Sequence, residues 1–108
     1  MTYYIVMEYI ESPLFSKLLR SYFTDDQYAA FQWELSLHPK AGDLIPRSGG
    51  LRKIRWSTKD SGKRSGVRII YYYKMEEEQI WLLTIYAKNE TENISIGILR
   101  KIKEELEL

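Results

Sequence analysis

The sequence predicts an α+β domain, a small antiparallel β-sheet with helices packed on one face, in the order β-α-α-β-β-β-α. Three observations predict it. Two adjacent helix-start signals follow one short strand-like run. Three segments rich in β-branched and aromatic residues then succeed one another across polar turns: Leu51–Trp56, Val67–Lys74 and Ile80–Lys88. The chain closes on apolar residues at helical spacing. Consecutive strands joined by short turns make an antiparallel meander, and an apolar sheet face needs helices to cover it. A length of 108 residues is read as a single domain, 1–108.

Each element has a local cause. Tyr3–Ile10 is β-branched and aromatic, a strand signature. Ser12 can accept from the first free N–H groups of a helix, and Pro13 suits the first helical position, so a helix is expected from there to about Tyr22. Thr24 with Gln27 three residues on is a capping-box pattern, and Tyr28, Phe31 and Leu35 then recur at helical spacing with Trp33 off the stripe. Pro39 ends this second helix, and His38 before it is read as a capping or exposed residue. Residues 41–50 read as loop, with Gly49 and Gly50 as turn residues. Between the strands, residues 57–66 form a turn full of Lys, Ser and Gly, and Glu76–Glu78 an acidic tip. Ile94, Ile98, Ile102 and Leu106 mark the terminal helix, which Gly97 weakens by about 1 kcal/mol relative to alanine.

Charge is distributed unevenly. Ten basic residues lie between Lys40 and Lys74 against only Asp43 and Asp60, a net +8 in a chain whose total is +1. Residues 1–39 carry −3 and residues 75–108 carry −4. A basic block set among strand-forming aromatics points to a polyanion, above all nucleic acid. Strand alternation places Ile54, Trp56, Val67, Ile69, Tyr71, Trp81, Leu83, Ile85 and Ala87 toward the helices. The same alternation collects Lys53, Arg55, Arg68, Tyr72, Tyr86 and Lys88 on one open face, a cationic trough in which phosphates meet the cations and bases stack on rings.

Much chemistry is excluded by composition. The chain has no cysteine and one histidine, His38. Neither a Ser-His-Asp nor a Cys-His arrangement can be assembled, a paired-histidine ribonuclease is ruled out by count, and no cluster has metal-ligand spacing. No cofactor is expected. Absence of cysteine agrees with a reducing cytoplasm, and no apolar run approaches a membrane span. RNA remains a feasible substrate because its own 2′-hydroxyl is the nucleophile. The protein then has to align that hydroxyl, stabilise a dianionic transition state and move protons. Arg and Lys supply the electrostatic part, and a lysine crowded by cations can act as base.

The runs Gly-Gly-Leu-Arg-Lys-Ile-Arg (49–55), Gly-Lys-Arg-Ser-Gly-Val-Arg-Ile-Ile-Tyr-Tyr-Tyr (62–73) and Leu-Leu-Thr-Ile-Tyr-Ala-Lys-Asn-Glu (82–90) together resemble the RelE/ParE toxin superfamily, and Leu-His-Pro-Lys-Ala-Gly-Asp-Leu-Ile (37–45) resembles its HigB-type branch. The resemblance implies a cytoplasmic type II toxin that is a metal-independent endoribonuclease. Such toxins cut mRNA in the A site of the small ribosomal subunit, and a cognate helix-turn-helix antitoxin of the HigA type holds them inactive. On that basis Lys53, Arg55, Arg68, Tyr86 and Lys88 are the candidate catalytic residues. Arg68 would stabilise the scissile phosphate with Arg55 as second clamp, Lys53 or Lys88 would transfer protons, and Tyr86 would orient the base or the 2′-hydroxyl. Arg52, Lys59, Lys63, Arg64 and Tyr72 are the candidate RNA- or ribosome-binding residues. RelE carries an arginine just past the last strand, where this chain has Asn89. Two other readings share the sequence features: a ParE-like inhibitor of DNA gyrase, and an RNA-binding module without catalysis.

Overall fold

A computed structural model describes residues 6–57, 66–87 and 94–108. The elements are β1 (Glu8–Glu11), α1 (Pro13–Tyr22), α2 (Asp25–Leu37), β2 (Asp43–Leu44), β3 (Leu51–Trp56), β4 (Val67–Lys74), β5 (Gln79–Ala87) and α3 (Ile96–Glu105). The expected α+β class holds. The residues expected to form the 57–66 turn, apart from Ser57 and Gly66, lie outside the described residues, as do residues 88–93 and the first residues of the N-terminal run.

The predicted caps form. Ser12 Oγ accepts from Phe15 N at 2.9 Å and donates to Leu83 O at 2.7 Å, so one hydroxyl both starts α1 and ties it to the sheet. Thr24 Oγ accepts from Gln27 N while Gln27 Oε1 accepts from Thr24 N, completing the capping box of α2. His38 caps that helix through its backbone, its N–H reaching Glu34 O and Leu35 O. Ser95 caps α3, accepting from Ile98 N at 3.2 Å.

The sheet order is β1-β5-β4-β3-β2. The meander β3-β4-β5 is antiparallel as expected, but the sheet is mixed, because β1 pairs parallel with β5. The physical reason is the crossover: α1 and α2 carry the chain across one face from the β1 edge to the far edge, and the meander then returns to β1 running in the same direction. The 41–50 segment, read as loop, contains β2. Only two residues pair there, Asp43 with Lys53 and Leu44 with Arg52, too few to leave an alternating pattern.

Helices cover both faces rather than one. Phe15, Phe23, Phe31 and Leu35 of the α1–α2 layer pack on Ile69, Tyr71, Ile80, Leu82 and Ile85. On the opposite face Leu99, Ile102 and Leu106 of the C-terminal segment pack on Leu51, Ile70, Leu83 and Tyr86. The expected α3 stripe packs at Ile94, Ile102 and Leu106 but not at Ile98, which is 55 % exposed while Leu99 is 2 %. Trp81 and Leu83 also move, from the α1–α2 face to the α3 face. A bulge is the cause: Ile70 pairs with Thr84 and Tyr71 with Leu82, which leaves Leu83 as an extra residue and breaks the alternation.

A short lock holds the far edge in place. The hydroxyl of the fully buried Tyr71 donates to Pro39 O at 2.8 Å and accepts from Gly42 N at 2.9 Å. Gly42 is packed so closely that a Cβ there would lie 2.8 Å from Tyr71 Cε1 and 3.1 Å from the Lys53 carbonyl oxygen. Gly42→Ala should therefore destabilise the protein by about 1–3 kcal/mol through overpacking. Urea denaturation checks this, and an unchanged midpoint would show that the edge yields.

Candidate nucleic-acid interface

The α3 face of the sheet is built in cross-strand rows. Leu51, Tyr72 and Trp81 form the first row, Lys53, Ile70 and Thr84 the second, and Arg55, Arg68 and Tyr86 the third. α3 lies over the first row, part of the second and, through Leu99, Tyr86 of the third. β2 pairs only as far as Lys53, so among the described residues no strand flanks Arg55 on that edge. Of the third row, Arg55 is the exposed member.

Arg55 is exposed, whereas Arg68 is only 9 % exposed and Tyr86 7 %. Directly opposed residues in antiparallel strands hold their Cβ atoms about 4.5–5.5 Å apart, and like charges so placed are destabilising. The Arg55–Arg68 pairing thus costs the fold something, on the order of 0.2–1 kcal/mol. Arg68 Nη1 makes one long side-chain hydrogen bond among the described residues, to Gly66 O at 3.5 Å. Among the described residues no carboxylate forms an ion pair with either arginine; the two ion pairs are Arg20–Asp25 and Lys74–Glu77. No fully buried side-chain nitrogen or oxygen lacks a partner among the described residues. The Arg68 stem is packed.

Burial pushes the Tyr86 phenol above its ordinary range, and the nearby Arg68 guanidinium opposes that shift. The phenol therefore keeps its proton at neutral pH and is available as a donor. Two arginines and a protonated phenol at neighbouring register positions are donors that a tetrahedral oxyanion such as a phosphodiester can accept from. Lys53 lies one row away, opposite Asp43 in the β2–β3 ladder.

Next to this row is a cavity of about 320 Å³. Lys53, Ile70 and Tyr86 contribute from the sheet, Ile45 and Pro46 from the segment after β2, and Ile96 and Leu99 from α3. A second cleft, of about 360 Å³, lies toward the other end of α3 beside Arg47, Arg100 and Lys103. Arg100 donates from Nε and Nη2 to Arg47 O there, fixing a residue with φ of 61°.

The structure brings together Lys53, Arg55, Arg68, Tyr72 and Tyr86 on one face. It separates Arg52, which lies on the alternate side of β3 and donates from Nη1 to Gly42 O at 2.8 Å and Lys40 O at 3.3 Å. Tyr72 shares the face but not the opening, because Lys103 Nζ sits 5.4 Å from its ring centroid. Lys59, Lys63, Arg64 and Lys88 lie outside the described residues. Sequence reasoning missed the cavity and its Asp43, because both depend on β2 and on which face α3 covers. No helix among the described residues is long and apolar enough to cross a membrane, and no group of three metal-ligating side chains occurs among them.

No family model matches the chain. Among solved structures, it is similar to a free-state double arginine-to-alanine mutant of the toxin RelE from E. coli, with a TM-score of 0.60 and 14 % identity over 88 % of this chain and 94 % of that one. The chain has the RelE-like fold.

Proposed function

We propose that this chain is the toxin of a type II toxin–antitoxin system, an endoribonuclease that cuts mRNA in the ribosomal A site. The observation that carries the reading is the third row: Arg55 directly opposite Arg68, with Tyr86 beside it, in a RelE-like fold. Among the described residues no carboxylate pairs with those two arginines, and an external anion would give them a partner. A phosphodiester fits, since its two non-bridging oxygens can each take a guanidinium N–H.

In the reaction the 2′-hydroxyl oxygen attacks phosphorus and the bond to the 5′ oxygen of the next nucleotide breaks. The products are a 2′,3′-cyclic phosphate and a 5′-hydroxyl. Arg68 and Arg55 meet the charge that develops on the non-bridging oxygens. Tyr86 donates a hydrogen bond that orients the reacting group. Lys53 or Lys88 moves the proton from the 2′-hydroxyl toward the leaving oxygen. These groups are dispersed cations rather than a tuned acid–base pair, so most of the rate comes from external alignment of the RNA, which the ribosome supplies. In this reading the chain belongs to the HigB-type branch, works in the cytoplasm, and is silenced by a HigA-like antitoxin that offers acidic and apolar groups to the same face.

Mapping RNA ends after induction in cells tests the reading. The expected result is discrete, codon-linked breaks in translated mRNA that carry 5′-hydroxyl ends. DNA damage with intact mRNA would instead identify a gyrase poison of the ParE type. Ribosome stalling without breaks would identify a binding module.

A further inference from the structure

One large side chain is given no role by the core or by the third row: Trp33, 68 % exposed on α2. Phe31 and Leu35 turn the inner side of that helix into the core. At 3.6 residues per turn, the opposite side collects Asp26, Ala30, Trp33 and Leu37. All four are exposed, Leu37 at 50 %. They recur as i, i+4, i+7 and i+11, the spacing of a coiled-coil seam, on a side where a solvated helix carries polar residues. Ala29, also exposed, flanks the seam. α2 belongs to the layer across the sheet from α3, so an occupant on this stripe leaves the third row and its cavity free.

We propose that this stripe is a self-association surface, on which α2 of a second copy of the chain packs antiparallel about a two-fold axis at Trp33. The stripe is complementary to itself, the condition a two-fold interface must meet. Reversing the helix about Trp33 sets each position against the one equally far on its other side. Ala29 then faces the partner's Leu37, a small side chain against a large one, which lets the two helices close and the seam interdigitate. Asp26 and Lys40 are also equidistant from Trp33, so the acidic first turn of α2 meets the basic residue just past the partner's helix end. Both are exposed, and neither takes part in the ion pairs found among the described residues. Antiparallel packing also brings the negative end of one helix dipole to the positive end of the other. A partner of unrelated sequence has no need of this symmetry of size and charge about one residue. α2 is 13 residues long, about 20 Å. A seam of that length falls short of the ~1,200 Å² at which standard interfaces begin, so the association is weak and concentration-dependent, in the micromolar range.

Sedimentation velocity of the purified full chain, from about 1 to about 200 μM, tests this and does not depend on the endoribonuclease reading. Wild type should pass from monomer to dimer across that range, and Trp33→Ala should stay monomeric throughout. Trp33 is mostly exposed, so its truncation leaves the core in place, and circular dichroism checks the fold of every variant. Asp26→Lys and Lys40→Glu should each weaken association by about tenfold, because each sets like charges against one another at both ends of the seam. The chain carrying both substitutions restores the opposite-charge pairing and should return to within a few-fold of wild type. A wild type that is monomeric at every concentration, association that survives Trp33→Ala, or a double variant no better than the single ones would each overturn the proposal. A monomeric wild type whose complex with a co-purified antitoxin is weakened by Trp33→Ala would give the stripe to the antitoxin and likewise overturn it.

Discussion

Replacing Arg68 by alanine is expected to abolish growth arrest and lower mRNA cleavage by about 10²–10³-fold, the range seen when one donor to a developing oxyanion is removed. The same substitution should leave the fold intact. The Arg68 stem packs under the row, so its loss has a cost. Opposing it is relief of the like-charge pairing with Arg55, worth on the order of 0.2–1 kcal/mol. A residue that is close to neutral for stability yet decisive for activity is one kept for its chemistry. Arg68→Lys sharpens the point. It keeps the charge but loses the planar fork that reaches two phosphate oxygens, so it should recover little activity. Growth assays in cells and cleavage of mRNA on purified ribosomes measure the effect, with circular dichroism as the control for folding. An Arg68→Ala protein that stays folded and fully toxic would remove Arg68 from the site.

The second large effect is on stability at alkaline pH. Burial raises the phenols of Tyr71 and Tyr86 above the ordinary value of 10.0, with the Gly42 N–H and the Arg68 guanidinium pulling in the other direction. In the folded chain these phenols hold their protons at a pH where the unfolded chain gives them up. The folded state then binds more protons, so the slope of stability with pH is negative. The contribution is fully present below pH 10.0 and is lost as pH rises from there through the folded-state values. Each tyrosine contributes at most about 1.4 kcal/mol per pH unit, and only between its unfolded and folded values. Tyr9 and Tyr28 are shifted the same way by burial, and Tyr28 also by its hydrogen bond to Glu11, so they steepen the fall. Urea titrations at about pH 9, 10 and 11 should show the midpoint dropping sharply across the upper interval. Tyr71→Phe should be less stable at neutral pH by about 1–3 kcal/mol, because Gly42 N and Pro39 O lose their partner. It should also show a shallower alkaline slope. A midpoint that does not move with pH would mean that these hydroxyls reach solvent freely.

How far the sequence could be read depended on how local the signal was. Ser12, Thr24 with Gln27, and Pro39 act within a few residues of themselves, and the helices they delimit form where expected. Strand alternation placed Lys53, Arg55, Arg68 and Tyr86 on one face, because β3 and β4 pair without interruption from Leu51–Tyr72 to Trp56–Val67. Alternation failed at Trp81 and Leu83, since a bulge is a property of the pairing and not of either strand alone. The α3 stripe, which holds at Ile94, Ile102 and Leu106, was misread at Ile98 for a related reason. Ile98 and Leu99 are equally apolar, and the position of the Leu51–Ile70–Leu83 surface decides which is buried. The parallel seat of β1 and the two-residue β2 depend on distant partners in the same way, and so does the cavity that β2 helps to wall. Charge counting gave Arg52 the same weight as its neighbours, and only the loop carbonyls of Lys40 and Gly42 reveal its structural use.

The account rests on Arg55 and Arg68 gripping one RNA phosphate from opposed positions on adjacent strands. Single-turnover cleavage of an mRNA on purified ribosomes, comparing wild type with the Arg55→Ala, Arg68→Ala and double variants, tests this most directly. Residues acting as one clamp are expected to be non-additive, so the double variant should lose little more than Arg68→Ala alone, with all three variants folded and far below wild type. Cleavage by the double variant within a few-fold of wild type would contradict the account.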